Sequence, residues 1–329
     1  MTAASPLRAR LRPDNFTLAL LVTVVLATLW PASGRAAQWL DTGTDIAIAL
    51  LFFLHGARLP REAVVAGLLH WRLHLLILAC TFVLYPLLGV IARPLTASLL
   101  TPELALGVVF LCTLPSTVQS SIAFTAMAGG NVAAAVCSAS LSSVLGVMLT
   151  PWLMTLLAGT SGVMANPLQA VGKIMLLLLL PFVLGHLLRP WIGTRIDALK
   201  PLLKYTDQAT ILLVVYAAFG AAVSEGLWQQ TPLPALLGTA LLCAVLLAVA
   251  MPLVALIARR SGFDRADQIT ILFCGTKKSL ATGVPIAKVL FAGGPIGAIV
   301  LPIMLYHQLQ LIVCGVIAAR LAKDADITR

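Results

Sequence analysis

Apolar residues fill this chain in successive runs, each close to the length of about 20 residues that a bilayer-crossing helix needs. Such runs lie at 15–31, 42–58, 72–93, 103–128, 131–158, 167–189, 205–223, 233–258, 266–292 and 295–320. Hydrophobic residues make up 60% of the 329 positions and charged residues only 10%, against about 25% charged in a soluble domain. Lipid is therefore the expected solvent, and the expected fold is an all-α polytopic membrane protein of ten transmembrane helices. The second run has the weakest pattern, because Asp41 and Asp45 fall in its first turns.

The net charge of +10 does not point to nucleic acid, since no basic run is interleaved with aromatics. It points to orientation, because cytoplasmic loops collect Lys and Arg. With the N-terminus inside, the inner segments hold Arg8, Arg10, Arg12, Arg58, Arg61, Arg72, Arg189, Arg195, Lys200, Lys204, Arg259, Arg260, Arg265, Arg320, Lys323 and Arg329. The outer segments hold Arg35 and Arg93, so the count is sixteen against two. Both termini are thus expected in the cytoplasm, with the chain in the cell inner membrane. Arg8, Arg10 and Arg12 ahead of Phe16–Trp30 also resemble a signal peptide. An uncleaved first helix is favoured, because its removal would spoil the symmetry described next.

Residues 109–130 (VFLCTLPSTVQSSIAFTAMAGG) and 271–294 (ILFCGTKKSLATGVPIAKVLFAGG) share an order: apolar residues with a Cys, a polar break, then Gly-Gly. They lie in the fourth and ninth spans, one per half of five, and five is odd. The halves, 1–160 and 161–329, would therefore be inverted, an arrangement common in secondary transporters. Pro115 removes a backbone donor inside the fourth span. The ninth is broken at Cys274-Gly-Thr276-Lys277-Lys278-Ser279. Open backbone at bilayer depth is tolerated where it is enclosed by protein or lines a wet cavity, and half-helix ends there bind anions and cations. Packed proline kinks are the alternative, weakened by two breaks at matching places.

Lys277 and Lys278 are costly at mid-bilayer. Helical neighbours point about 100° apart, so one lysine is expected on the cavity and the other on the cytoplasmic surface. Alternatively both border a water-filled vestibule. His307 and Gln310 share a face of the tenth span. His307 reads as a cavity residue or proton carrier, or as a neutral ring satisfied by the backbone. Asn131 is expected to cap the fifth helix, with the polar core as the other option. His70, His74, Arg58 and Arg61 read as interfacial and Lys288 as snorkelling. Asp207 and Gln208 read either as panel-side polar groups or as interface residues. Ser138 and Cys274 are secondary site candidates; the six cysteines otherwise read as small packing residues, with no CxxC pair. There is no HExxH, GxSxG, Walker A loop or paired carboxylate set, so no enzyme chemistry and no cofactor is expected.

The segments LFFLHGARL (51–59), HWRLHLL (70–76), PSTVQSSIAFTAMAGGNVAAAV (115–136), GFDRADQITILFCGTKKSLATGVPIAKVLFAG (262–293) and IVLPIMLYHQLQ (299–310) carry a resemblance. The chain resembles the bile acid:sodium symporter superfamily, solute carrier family 10, in its member-seven-like branch of bacterial and vertebrate proteins. The resemblance implies broken, crossing helices four and nine, a core of helices three to five and eight to ten, and a panel of helices one, two, six and seven. It implies symport of organic anions with sodium by alternating access. The family's Ser-Asn sodium pair falls on Ser120 and Ser121, and its two helix-five hydroxyls on Ala135 and Ala139. Its helix-nine glutamate falls on Phe273 or Cys274, and its helix-three glutamine on Thr81. Most sodium ligands are thus missing. With no mid-membrane carboxylate in the core spans four, five, nine or ten, a lysine ammonium could stand in for sodium, and the same lysine could carry a proton.

The leading expectation is a secondary transporter of a small organic anion, independent of sodium or linked to protons. Its substrate would touch Ser116, Thr117, Gln119, Ser120, Ser121, Thr276 and Ser279, beside Lys277 or Lys278. A sodium-coupled symporter, a non-transporting regulatory membrane protein and a channel are the alternatives. The sequence does not set the oligomeric state.

Overall fold

The computed structural model describes residues 15–58, 70–158, 172, 175–224 and 226–327. They form helices throughout: α1 (Asn15–Leu29), α2 (Gly34–Arg58), α3 (Trp71–Ile91), α4 (Pro102–Thr113), α5 (Gln119–Met127), α6 (Val132–Ala158), α7 (Leu180–Ala198), α8 (Lys200–Ser224), α9 (Leu233–Arg260), α10 (Arg265–Gly275), α11 (Leu280–Leu290) and α12 (Ile296–Ile327). Short helices Arg93–Leu99 and Leu227–Gln230 lie between them. Among the described residues, seven helices are long and apolar enough to cross a bilayer by themselves. The other three expected spans are the 15-residue α1 and the interrupted pairs α4/α5 and α10/α11.

Two boundaries differ most from expectation. Helix α2 starts at Gly34, whose φ of +58° suits glycine, so Asp41 and Asp45 lie inside it rather than in its first turns. Helix α7 runs past Arg189 to Ala198, and the expected start of the sixth span falls mostly outside the described residues.

Lipid tails give apolar helices no hydrophobic reason to pair, so close packing through small residues does the work. Helices α2 and α7 touch at two reciprocal glycines. A Cβ on Gly56 would stand 1.9 Å from the Phe182 carbonyl oxygen, and one on Gly185 2.0 Å from that of Phe53. A Cβ on Gly107 of α4 would stand 2.4 Å from the Ile299 carbonyl oxygen of α12. Gly146 of α6 receives the Pro115 ring, 2.5 Å from where its Cβ would be. Helix α8 packs on α1 and α2 on one side and on α11 and α12 on the other. Leu21, Val25, Leu237 and Leu241 point outward, as lipid-facing side chains should.

Candidate functional site

Pro115 lacks the N–H that would continue a helix, and α4 ends at Thr113 before α5 begins at Gln119. The second break has no proline. Thr276 folds back on α10, its hydroxyl donating to the Leu272 carbonyl at 2.6 Å. Ser279 then caps α11 by accepting from Thr282 N at 3.1 Å. The two breaks meet directly, Ser279 N donating to the Pro115 carbonyl at 2.9 Å.

A helix C-terminus leaves carbonyls without donors, and here two such ends lie buried. Hydroxyls satisfy the end of α10: Ser116 Oγ donates to Cys274 O at 2.6 Å and Ser121 Oγ to Phe273 O at 3.2 Å. Tyr85 and Tyr306 place their hydroxyls 2.6 and 3.0 Å from Thr276 O. At the end of α4, Thr150 Oγ1 donates to Thr113 O at 2.8 Å.

Lys278 supplies the rest. Its Nζ donates to Cys112 O (3.1 Å), Leu114 O (2.8 Å) and Thr81 O (2.9 Å). It also lies 4.2 Å from the Tyr85 ring centre. The third acceptor exists because of the backbone of α3. A widened turn spans Cys80–Leu84, where Tyr85 N donates to Cys80 O. Thr81 O would then wait for residue 86, which is Pro86 and has no N–H. An ammonium has three donors, and all three are used. Gln310 holds the Lys278 backbone, its Oε1 accepting from Lys278 N and its Nε2 donating to Lys278 O. The same Nε2 donates to His307 Nδ1 at 2.9 Å, which puts the proton of a neutral His307 ring on Nε2.

Lys277 is also fully buried. Among the described residues its Nζ has no hydrogen-bond partner, and it sits 3.8 Å from the Phe124 ring centre and 5.8 Å from that of Phe273. The expected split between cavity and surface is therefore corrected. Residues 276–279 are not helical, so the 100° rule does not apply, and both lysines turn into protein.

A cavity of about 360 Å³ opens beside the breaks. Thr117, Gln119, Ser120, Ser279 and His307 line it, with Ser143 and Thr282. The first residues of α5 and of α11 both border it, so two half-helix N-termini share one space. Val118, at the N-cap of α5, makes no side-chain capping bond. Ser116, Ser121, Thr276 and Gln310 are buried outside the lining, in the bonds just described. Thr81 contributes a carbonyl; its hydroxyl donates to Ile77 O. Cys274 is buried against Ala135. Asn131 caps α6 by accepting from Ala134 N at 3.0 Å.

Several residues stand where the sequence alone does not put them. Asp207 lines the cavity and pairs with Arg58, Nη1 to Oδ2 at 2.7 Å and Nη2 to Oδ1 at 3.1 Å. Gln119 Nε2 reaches Asp207 Oδ2 at 3.4 Å. His74 is buried, with its Nδ1 2.6 Å from Ser138 Oγ, rather than interfacial. Asp267, in the first turn of α10, accepts from Asn131 Nδ2 at 2.9 Å and faces His70 Nε2 at 3.5 Å. Lys288 does not snorkel; it binds Asp41 and Asp45 of α2. Among the described residues no His, Cys, Asp and Glu gather as a metal site.

The model of the SBF-like CPA transporter family matches residues 14–323. An uncharacterized protein of Pseudomonas aeruginosa is 59% identical over 319 residues, 97% of this chain and 96% of its own. The putative symporter YfeH of Escherichia coli is 51% identical over 313 residues, 95% of this chain and 94% of its own. Sodium/bile acid cotransporter 7 of Mus musculus is 29% identical over 316 residues, 94% and 92% of the two chains.

Proposed function

The chain belongs to the SBF-like CPA transporter family, and from that premise we propose a secondary transporter of a small organic anion that works by alternating access without sodium. It is a multi-pass membrane protein of a transporter family, not an enzyme. The reading takes the helices as ten spans in two inverted halves, 1–160 and 161–329. The core holds α3 to α6 and α9 to α12, and the panel α1, α2, α7 and α8. Both termini lie in the cytoplasm and the membrane is the inner one.

The observation that carries the substrate class is the shared cavity of the α5 and α11 N-termini. Helix N-termini hold partial positive charge and free N–H groups. Two of them facing one space favour an anion, with Thr117, Ser120, Ser279 and His307 as hydrogen-bonding neighbours.

The observation behind sodium independence is the cage around Lys278. Three backbone oxygens surround one positive charge, which is the chemistry that a hard cation needs. The ammonium occupies it from within the chain. Lys277, with no acceptor, is the group through which a proton linkage would run.

Thermal stabilisation of the purified protein by a panel of organic acids tests this, in sodium and in choline buffer. One acid class is expected to stabilise equally in both. Stabilisation that requires sodium would overturn the reading in favour of a sodium symporter.

A further inference from the structure

The cavity is lined from one end of the molecule. Its wall uses the start of α1 at Phe16, the end of α2 at His55 and the first half of α8 at Asp207 and Ile211. Its floor is the two breaks and the middle of α12 at His307. Beyond that floor, toward the far end, stands a compact charged contact between α11 and α2. Lys288, near the C-terminus of α11, lies 3.0 Å from Asp41 Oδ1 and 2.7 Å from Asp45 Oδ1. Its Nζ also donates to the Asp41 carbonyl at 2.9 Å and to the Thr44 hydroxyl. Every partner belongs to one face of α2, and α11 is the helix whose first residues line the cavity.

We propose that Lys288, Asp41 and Asp45 form a latch that closes the far side of the cavity, so that opening toward that side requires this contact to separate. The chemistry suits a reversible closure. Asp41 and Asp45 are 68% and 40% exposed while Lys288 is 12% exposed. Water can therefore take over the carboxylates when the contact parts, and such pairs are weak enough to break repeatedly. The apolar contacts around α11 offer no such replacement. The proposal rests on the cavity being the transport pathway and on α2 and α11 belonging to bodies that move apart.

A cysteine at Ser143, on the cavity wall, reports which side is open. The six native cysteines are buried, and the protein without the new cysteine serves as the background. Ser143→Cys is labelled with a membrane-impermeant maleimide in right-side-out and in inverted vesicles. With the latch intact, labelling is expected from one side only. With Lys288→Met, or with Asp41→Asn and Asp45→Asn together, labelling from the opposite side is expected to rise several-fold. Lys288→Asp combined with Asp45→Lys is expected to restore the one-sided pattern. Unchanged sidedness in all latch variants overturns the latch while leaving the cavity reading intact. No labelling from either side overturns the cavity reading and the latch with it.

Discussion

The side-chain amide of Gln310 pairs with both backbone polar groups of Lys278, each at 2.9 Å. The contact joins α12 to a stretch of backbone that has no helix of its own to satisfy it. Gln310→Met would strand a buried N–H and a buried carbonyl, at about 1–3 kcal/mol each. The thermal midpoint of the purified variant should fall by several degrees, and Gln310→Glu, which lacks the donor, should not rescue it.

Adjacent lysines should behave oppositely. Lys278→Met removes the donor to three carbonyls and should cost on the order of 3 kcal/mol or more. Lys277→Met removes a buried group that has no hydrogen-bond partner and fills the same space, so its stability should match or exceed that of the unaltered protein. Thermal unfolding of the pair in one detergent decides the point. Equal losses in both variants would contradict it.

Arg58 and Asp207 should depend on each other. Arg58→Ala leaves a carboxylate only 7% exposed without its main partner. Loss of a buried partner costs about 3–5 kcal/mol, reduced here because Arg58 is 20% exposed. A double-mutant cycle with Asp207→Asn should show the second change to be nearly free once the first is made.

Some of this was legible in the sequence and some was not, for physical reasons. The breaks were visible because Pro115 and the lysine pair violate the rules of an uninterrupted apolar helix. The direction of the lysines was not, because residues 276–279 are not helical and no fixed angle separates neighbours there. The third ligand of Lys278 had only half a signal: Pro86 deprives a carbonyl one turn earlier of its donor, but only the widened turn of α3 makes that carbonyl Thr81. Arg58 and Asp207 lie 149 residues apart, and nothing local announces their pairing. Lys288 reads in the sequence as a residue reaching for water because its acids belong to a distant helix that begins at Gly34, ahead of its apolar run.

Gly56→Ala and Gly185→Ala should each be severely destabilising. The new methyl would lie about 2 Å from a carbonyl oxygen of the partner helix, 1.9 Å in one case and 2.0 Å in the other. Backbone cannot move aside as a side chain can, so the cost should exceed the about 1–3 kcal/mol of ordinary overpacking. The about 1 kcal/mol gained in helix propensity would not offset it. Expression level and thermal midpoint read the effect. Gly43→Ala, also in α2, where a Cβ meets nothing within 4 Å among the described residues, is the control.

The cage of carbonyls around Lys278 has an electrical consequence. A dissolved ion that neutralises a carrier leaves when the carrier empties, whereas an ammonium bonded to the chain stays. Any displacement of this break along the membrane normal therefore carries the ammonium's charge with it, loaded or empty. At about 2.3 kcal/mol per charge for each 100 mV crossed in full, the membrane voltage would act on the returning empty carrier, whereas in the loaded one a bound monovalent anion offsets the ammonium and leaves the voltage little hold.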